Sequence, residues 1–171
     1  VAYFMQHHPW SGEIDHLIIE AFRGMAKSFI TGAYALWTLH RDPQRKVLVV
    51  SGSSFRAASF VTWLLNIIAE WDLLSYLYPK SNQRQSTKAF DVAPARPDQT
   101  PSVAAFGITS QIVGFRADLI IGDDIETNTN SLSPDMREKL AHGVREFDAI
   151  IKPGGRIVFL GTPQTEQSVY N

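Results

Sequence analysis

The sequence has 171 residues, 44% of them hydrophobic and 19% charged, and a formal net charge of −1. That length and composition suit a single globular domain with a sizeable core and exclude a disordered chain. The near-neutral charge excludes a polycation that attracts nucleic acid in bulk, so any such contact needs a local patch. Cysteine is absent, which excludes disulfide staples and thiolate metal centres. No apolar run reaches the ~18 residues of a membrane span; the most apolar helical stretch, Val61–Ile68, is too short. No signal-peptide pattern opens the chain. Val1 at the start, and Asn171 close behind a motif-bearing strand, lead to the expectation of a fragment of a longer protein, one domain over residues 1–171.

In chain order, strand and helix patterns alternate. His16–Glu20 is a short apolar run that reads as a buried strand. A glycine-containing turn follows. Lys27–His40 then has helical spacing, with Ile30, Ala33, Tyr34 and Trp37 as its apolar stripe, and Asp42-Pro43 ends it. Val47–Val50 reads as a second buried strand, and Phe55–Trp71 as a second helix with Phe60, Leu64, Ile67 and Ile68 on one face. Residues 78–100, rich in Pro, Ser, Gln and Asp, read as loop with a short strand near Phe90–Ala93. Ser102–Ile108 and Leu119–Gly122 are further strands, and Thr127–Pro134 is a polar loop. Ser133 and Pro134 suit the cap and first turn of a helix over Asp135–Phe147. Lys152–Gly155 reads as a turn before a last strand, Arg156–Leu160. Apolar strands alternating with helices predict an α/β fold, a mostly parallel sheet flanked by helices. Ligands of such sheets sit at the carboxyl ends of the strands.

Three motifs fall at such ends. The first, Ala21-Phe22-Arg23-Gly24-Met25-Ala26-Lys27-Ser28, lies between strand and helix and resembles a Walker A loop with alanine at both usual glycine positions. Its physics suits ATP: backbone N–H groups at a helix start cradle phosphates, the Lys27 ammonium reaches the outer ones, and the Ser28 hydroxyl can ligate Mg2+. The alanines are a cost only where a positive φ is required. The second, Leu119–Glu126, is an apolar strand ending in carboxylates, as in a Walker B segment. One carboxylate there holds magnesium and the next polarises the attacking water; Asp123 suits the first role, and Asp124 or Glu126 the second. The third, Gly161-Thr162-Pro163 at the end of the next strand, is a common turn whose interest is its position.

Arg23, inside the loop, has the charge to stabilise a γ-phosphate in the transition state. Arg116 is a second candidate finger, for its own site or a neighbour's. His7 and His8 are adjacent and lack spaced partners, so they read as a solvated pair. Gln6 is a candidate for reading an adenine edge. Trp37, Trp63 and Trp71 read as core or subunit-contact residues.

The segments AFRGMAKSFITGAYALW, ITSQIVGFRADLIIGDDIE and FLGTPQTE, in this order and spacing, resemble the large terminase of tailed phages, in the DNA maturase B form of podophages. The resemblance spans about His16 to Tyr170. It implies an ASCE, RecA-like P-loop NTPase fold with a strand inserted between the Walker strands, and ATP-driven movement of double-stranded DNA into a procapsid. It implies a homo-oligomeric ring on the portal protein, assisted by a small terminase subunit, in the host cytoplasm and without a membrane. By the same resemblance Lys27 and Ser28 are the phosphate and magnesium residues, Asp123 is the metal carboxylate, Arg23 is the loop arginine, and Gly161-Thr162-Pro163 is the coupling motif. Members usually end Walker B in Asp-Glu, whereas this chain has Asp124 and then Glu126, so the water-activating carboxylate stays open between them. The family's C-terminal nuclease domain has no counterpart in these residues. Rival readings are a nucleotide-binding switch without efficient hydrolysis and a superfamily-two helicase fragment.

Overall fold

A computed structural model describes residues 15–20, 24–112, 114–163 and 168–170. Six strands form one sheet in the order β1-β6-β5-β2-β4-β3. They are β1 (Asp15–Glu20), β2 (Val47–Ser51), β3 (Ala89–Phe90), β4 (Val103–Gly107), β5 (Ala117–Asp123) and β6 (Ile151–Gly161). All pair in parallel except β3, a two-residue antiparallel edge on β4. The helices are α1 (Lys27–Arg41), α2 (Ser54–Glu70), the one-turn α3 (Asn128–Ser131) and α4 (Pro134–Ile150). The expected α/β sheet is present, and β6 lies between β1 and β5 as the inserted strand.

Alternation along each strand builds two cores. Val47, Val49, Leu119, Ile121, Val158 and Leu160 face one side with α1 and α2. Leu48, Val50, Ile120, Ile157 and Phe159 face the other with Leu140, Phe147 and Ile150 of α4. Fully buried side chains of this size each stabilise the fold by about 1.5–3 kcal/mol. Among the described residues no helix is long and apolar enough to cross a membrane.

Several expectations need correction. On α1 the buried stripe is Thr31, Gly32, Tyr34, Ala35, Leu36 and Leu39, while Ala33 and Trp37 face outward. Trp37 and Trp71 are not core: with the half-buried Trp63, and with Phe29, Ile67 and Leu73, they line an apolar surface groove between α1 and α2. Thr127–Pro134 is not only loop. Thr127 and Asn130 close a reciprocal capping box that forms α3, the pattern that satisfies two orphan N–H groups at once. Lys152–Gly155 is not a separate turn but a bulge within β6: Ala117 pairs with Ile151 and Leu119 with Arg156, so the intervening residues loop out of the ladder at Gly154, φ 72°. The helix over 134–150 starts as expected, with the Ser133 hydroxyl accepting from Met136 N–H and Pro134 in the first turn.

Candidate active site

The parallel strands end level with one another. Glu20 pairs with Gly161, Leu160 with Asp123, Asp123 with Ser51, and Ser51 with Gly107. Side chains leaving these ends converge above one edge of the sheet, where the β1–α1 connection, the β5–α3 loop and the exit of β6 meet.

The connection enters α1 through Gly24 at φ 92° and Ala26 at φ 53°. The cost foreseen for alanine therefore applies at Ala26, which holds a left-handed conformation that glycine adopts without penalty. Helices α2, α3 and α4 begin under the hydroxyls of Ser53, Thr127 and Ser133. Helix α1 begins with no side-chain cap and no acid in its first turn. Its opening N–H groups, the positive end of the helix dipole and Lys27 make an environment that suits a phosphate. Ala21, Phe22 and Arg23 lie outside the described residues, as do Gln6, His7 and His8; Met25 is exposed.

Ser28, one residue into α1, donates its hydroxyl to both carboxylate oxygens of Asp123, at 3.0 and 3.1 Å. Burial pushes the Asp123 carboxyl above the usual carboxylate range, and the Ser28 hydroxyl pulls it back. The negative charge of Asp124 adds to the rise, while Lys27 and Arg56 oppose it. Two cations thus act on this carboxylate, one at the start of α1 after β1 and one in the first turn of α2 after β2. Among the described residues no group of three or more His, Cys, Asp and Glu is arranged for a metal. A cation here would use one hydroxyl and one carboxylate, a hard oxygen set completed by phosphate and water, and that set fits magnesium.

Asp124 also holds a left-handed backbone, φ 45°, which aspartate tolerates better than most residues. Its N–H donates to Leu160 C=O at 2.8 Å, and its own carbonyl accepts from Gly52 N–H at 3.2 Å. Gly52 is required for that approach, since a Cβ would meet Thr127 Cγ2 at 2.4 Å and the Asp124 carbonyl at 2.9 Å. The turn after β2 is thereby pressed onto the loop after β5. Asp124, Arg56, Asn128, Thr129 and Thr162 line one polar cleft there.

Glu126 reaches that cleft too but is 4% exposed. One carboxylate oxygen accepts from Ser168 Oγ at 2.6 Å and from Val169 N–H at 3.0 Å. The Glu126 N–H donates to the Tyr170 hydroxyl at 3.3 Å, and that hydroxyl donates to Leu160 C=O at 3.4 Å. The Tyr170 ring lies on Gly161, where a Cβ would meet it at 2.1 Å. Gly161 and Thr162 thus sit between the β5 loop and residues 168–170, while Pro163 is exposed.

Arg116 is not brought to this edge. It precedes β5, whereas Asp123 ends it, and six residues of strand at about 3.3 Å each leave roughly 20 Å between them. Its guanidinium donates to the Ala149 carbonyl at the end of α4, so it does not serve as a finger in its own site. Sequence reasoning did not single out Arg56, which lines the cleft, or Ser51, which pairs with Asp123 in the sheet. Their signal was the small-residue run 51–54 following an apolar strand, which placed a second turn at the same sheet edge.

A parallel sheet with the motif-bearing strands β1 and β5 flanking β6, and a helix whose serine meets the β5 carboxylate, defines the class: a P-loop NTPase fold of the ASCE type. No family model matches the chain. The large terminase subunit of Enterobacteria phage T3 is 49% identical over 162 residues, 94% of this chain and 28% of that subunit. The chain belongs to the large-terminase family and spans little more than a quarter of that relative's length. Among solved structures, the N-terminal domain of the DNA packaging ATPase from bacteriophage phi29 superposes with a TM-score of 0.58 at 15% identity, covering 93% of this chain and 78% of that one. The large terminase ATPase domain of Thermus phage P74-26 gives 0.52 at 12% identity, covering 96% and 66%. These two likenesses are of fold.

Proposed function

We propose that this chain binds and hydrolyses ATP with magnesium, and that hydrolysis drives double-stranded DNA into a procapsid within a longer large terminase. The observation that carries the reading is the Ser28–Asp123 hydrogen bond, which joins the start of α1 to the end of β5 above an intervening strand. In this reading the α1 N–H groups and Lys27 hold the phosphates. Ser28 and Asp123 hold magnesium, which when bound neutralises phosphate charge as the bond to the leaving group breaks. Asp124 orients and polarises the attacking water, since it lines the cleft with its side chain partly exposed, while the buried Glu126 carboxylate is held by Ser168 and Val169. Arg23, in the same loop as Lys27, supplies charge to the γ-phosphate, and Gly161-Thr162-Pro163 couples the cleft to movement. In the same reading the longer protein works as a homo-oligomeric ring on a portal protein, with a small terminase partner, in the host cytoplasm. A catalytic arginine supplied to a neighbour's site remains the role open to Arg116.

The test is phosphate release by the purified protein with and without magnesium and duplex DNA, beside a nucleotide titration. Magnesium-dependent release supports the motor reading. Nucleotide binding without turnover, in both this chain and a full-length form, replaces it with a switch module.

A further inference from the structure

Ser51 ends β2 and is 1% exposed. Among the described residues its Oγ is the one buried side-chain nitrogen or oxygen with no hydrogen-bond partner. Buried hydroxyls are almost always satisfied, and an orphan costs the fold its lost hydration. The register pairs Ser51 with Asp123 across β2 and β5, neighbouring strands about 4.8 Å apart. Val47 and Val49 of β2, and Leu119 and Ile121 of β5, face the α1 side of the sheet. By the two-residue alternation Ser51 and Asp123 face the same side, the side from which Ser28 reaches Asp123.

We infer that Ser51 is a positioning residue of the cation site, its hydroxyl holding a water in the shell of the magnesium carried by Ser28 and Asp123. Magnesium keeps several waters when bound by few protein groups, and an otherwise orphaned hydroxyl beside its carboxylate suits one of them. The inference rests on the reading of this site as a magnesium–nucleotide site. No described group satisfies the Ser51 hydroxyl, and β2 otherwise carries only apolar side chains.

The test uses the 171-residue chain, a fluorescent ATP analogue titrated with magnesium, and the manganese spin-resonance signal of the nucleotide complex. Ser51→Ala is expected to raise the magnesium midpoint about ten- to hundredfold and to alter the manganese spectrum. Metal-free nucleotide affinity should stay within twofold of wild type and the melting temperature should hold or rise, because a buried orphan is removed. Ser51→Thr, which keeps the hydroxyl, should restore the midpoint. An unchanged midpoint in Ser51→Ala, or a loss confined to melting temperature, overturns the role of Ser51 alone. Absence of magnesium-dependent nucleotide binding in the wild type overturns the site reading and this inference with it.

Discussion

The hydroxyl of Ser28 meets both carboxylate oxygens of Asp123 across 95 residues of sequence. Two residues from separate motifs are thereby fixed within one cation's reach, above a strand that belongs to neither. The charges around them decide how the site answers substitution.

Lys27→Ala should weaken ATP binding strongly. A charge-assisted contact to phosphate contributes about 1.5–3 kcal/mol, or roughly ten- to hundredfold in affinity. Calorimetric titration of both proteins checks it, and equal affinities remove the P-loop assignment.

Asp124→Asn and Glu126→Gln should separate chemistry from architecture. Asp124→Asn is expected to lower turnover by roughly 10²–10⁴-fold with ATP affinity largely kept. Glu126→Gln weakens the charged acceptor of Ser168 and Val169, and should cost about 1–3 kcal/mol of stability with a smaller effect on turnover per folded molecule. Turnover and denaturant melts of each variant decide; turnover abolished only in Glu126→Gln reverses the roles.

Thr162→Val should leave ATP affinity nearly unchanged while impairing DNA packaging by the full-length protein. The side chain lines the cleft beside Asp124 and Arg56, where it can register phosphate without being needed to hold nucleotide. Packaging at the wild-type rate reduces Thr162 to a turn residue.

Ala26→Gly should stabilise the protein. Relief of a left-handed alanine is worth about 1–2 kcal/mol, and the freer unfolded chain takes back about 0.4–1 kcal/mol. A net gain of roughly 0.5–1 kcal/mol in urea unfolding is expected; a loss shows that Ala26 is not strained in solution.

Tyr170 supplies a pH signature. Burial raises its phenol above the ordinary value of 10.0. The unfolded chain then loses this proton first, so stability falls as pH rises above 10, by about 1.4 kcal/mol per pH unit up to the folded pKa. Below pH 10 the group contributes no slope. Tyr170→Phe should flatten this alkaline decline, and identical slopes for both proteins refute it.

The sheet was legible because its strands are short apolar runs and each motif follows one of them. The stripe of α1 was not. Ile30, Ala33, Tyr34 and Trp37 satisfy helical spacing, but so does the set that is actually buried, which includes Thr31 and Gly32. Thr31 hides its hydroxyl on the carbonyls of Lys27 and Ser28, and Gly32 gives room to the Trp63 ring, which a Cβ would meet at 2.2 Å. A polar residue and a glycine thus do apolar packing, which hydropathy does not reveal. For Arg116, a place just before the motif-bearing strand concealed that a strand's two ends face opposite edges. For Ser51 and Arg56 the small-residue run 51–54 marks only a turn after an apolar strand; strand order is what brings that turn to the site.

The insertion of β6 has a mechanical consequence. Two interstrand spacings of about 4.8 Å hold the ends of β1 and β5 roughly 10 Å apart, and a hydrogen-bonded ladder does not stretch without breaking. The width of the gap under the site is therefore a fixed gauge. In the proposed motor, a stroke among the described residues falls to what rides above the sheet: the first turn of α1, the loop from Asp124 to Thr127, and residues 168–170 clasped to Glu126. Among the described residues the sheet is the bed of the proposed motor, and those three parts are the ones free to travel.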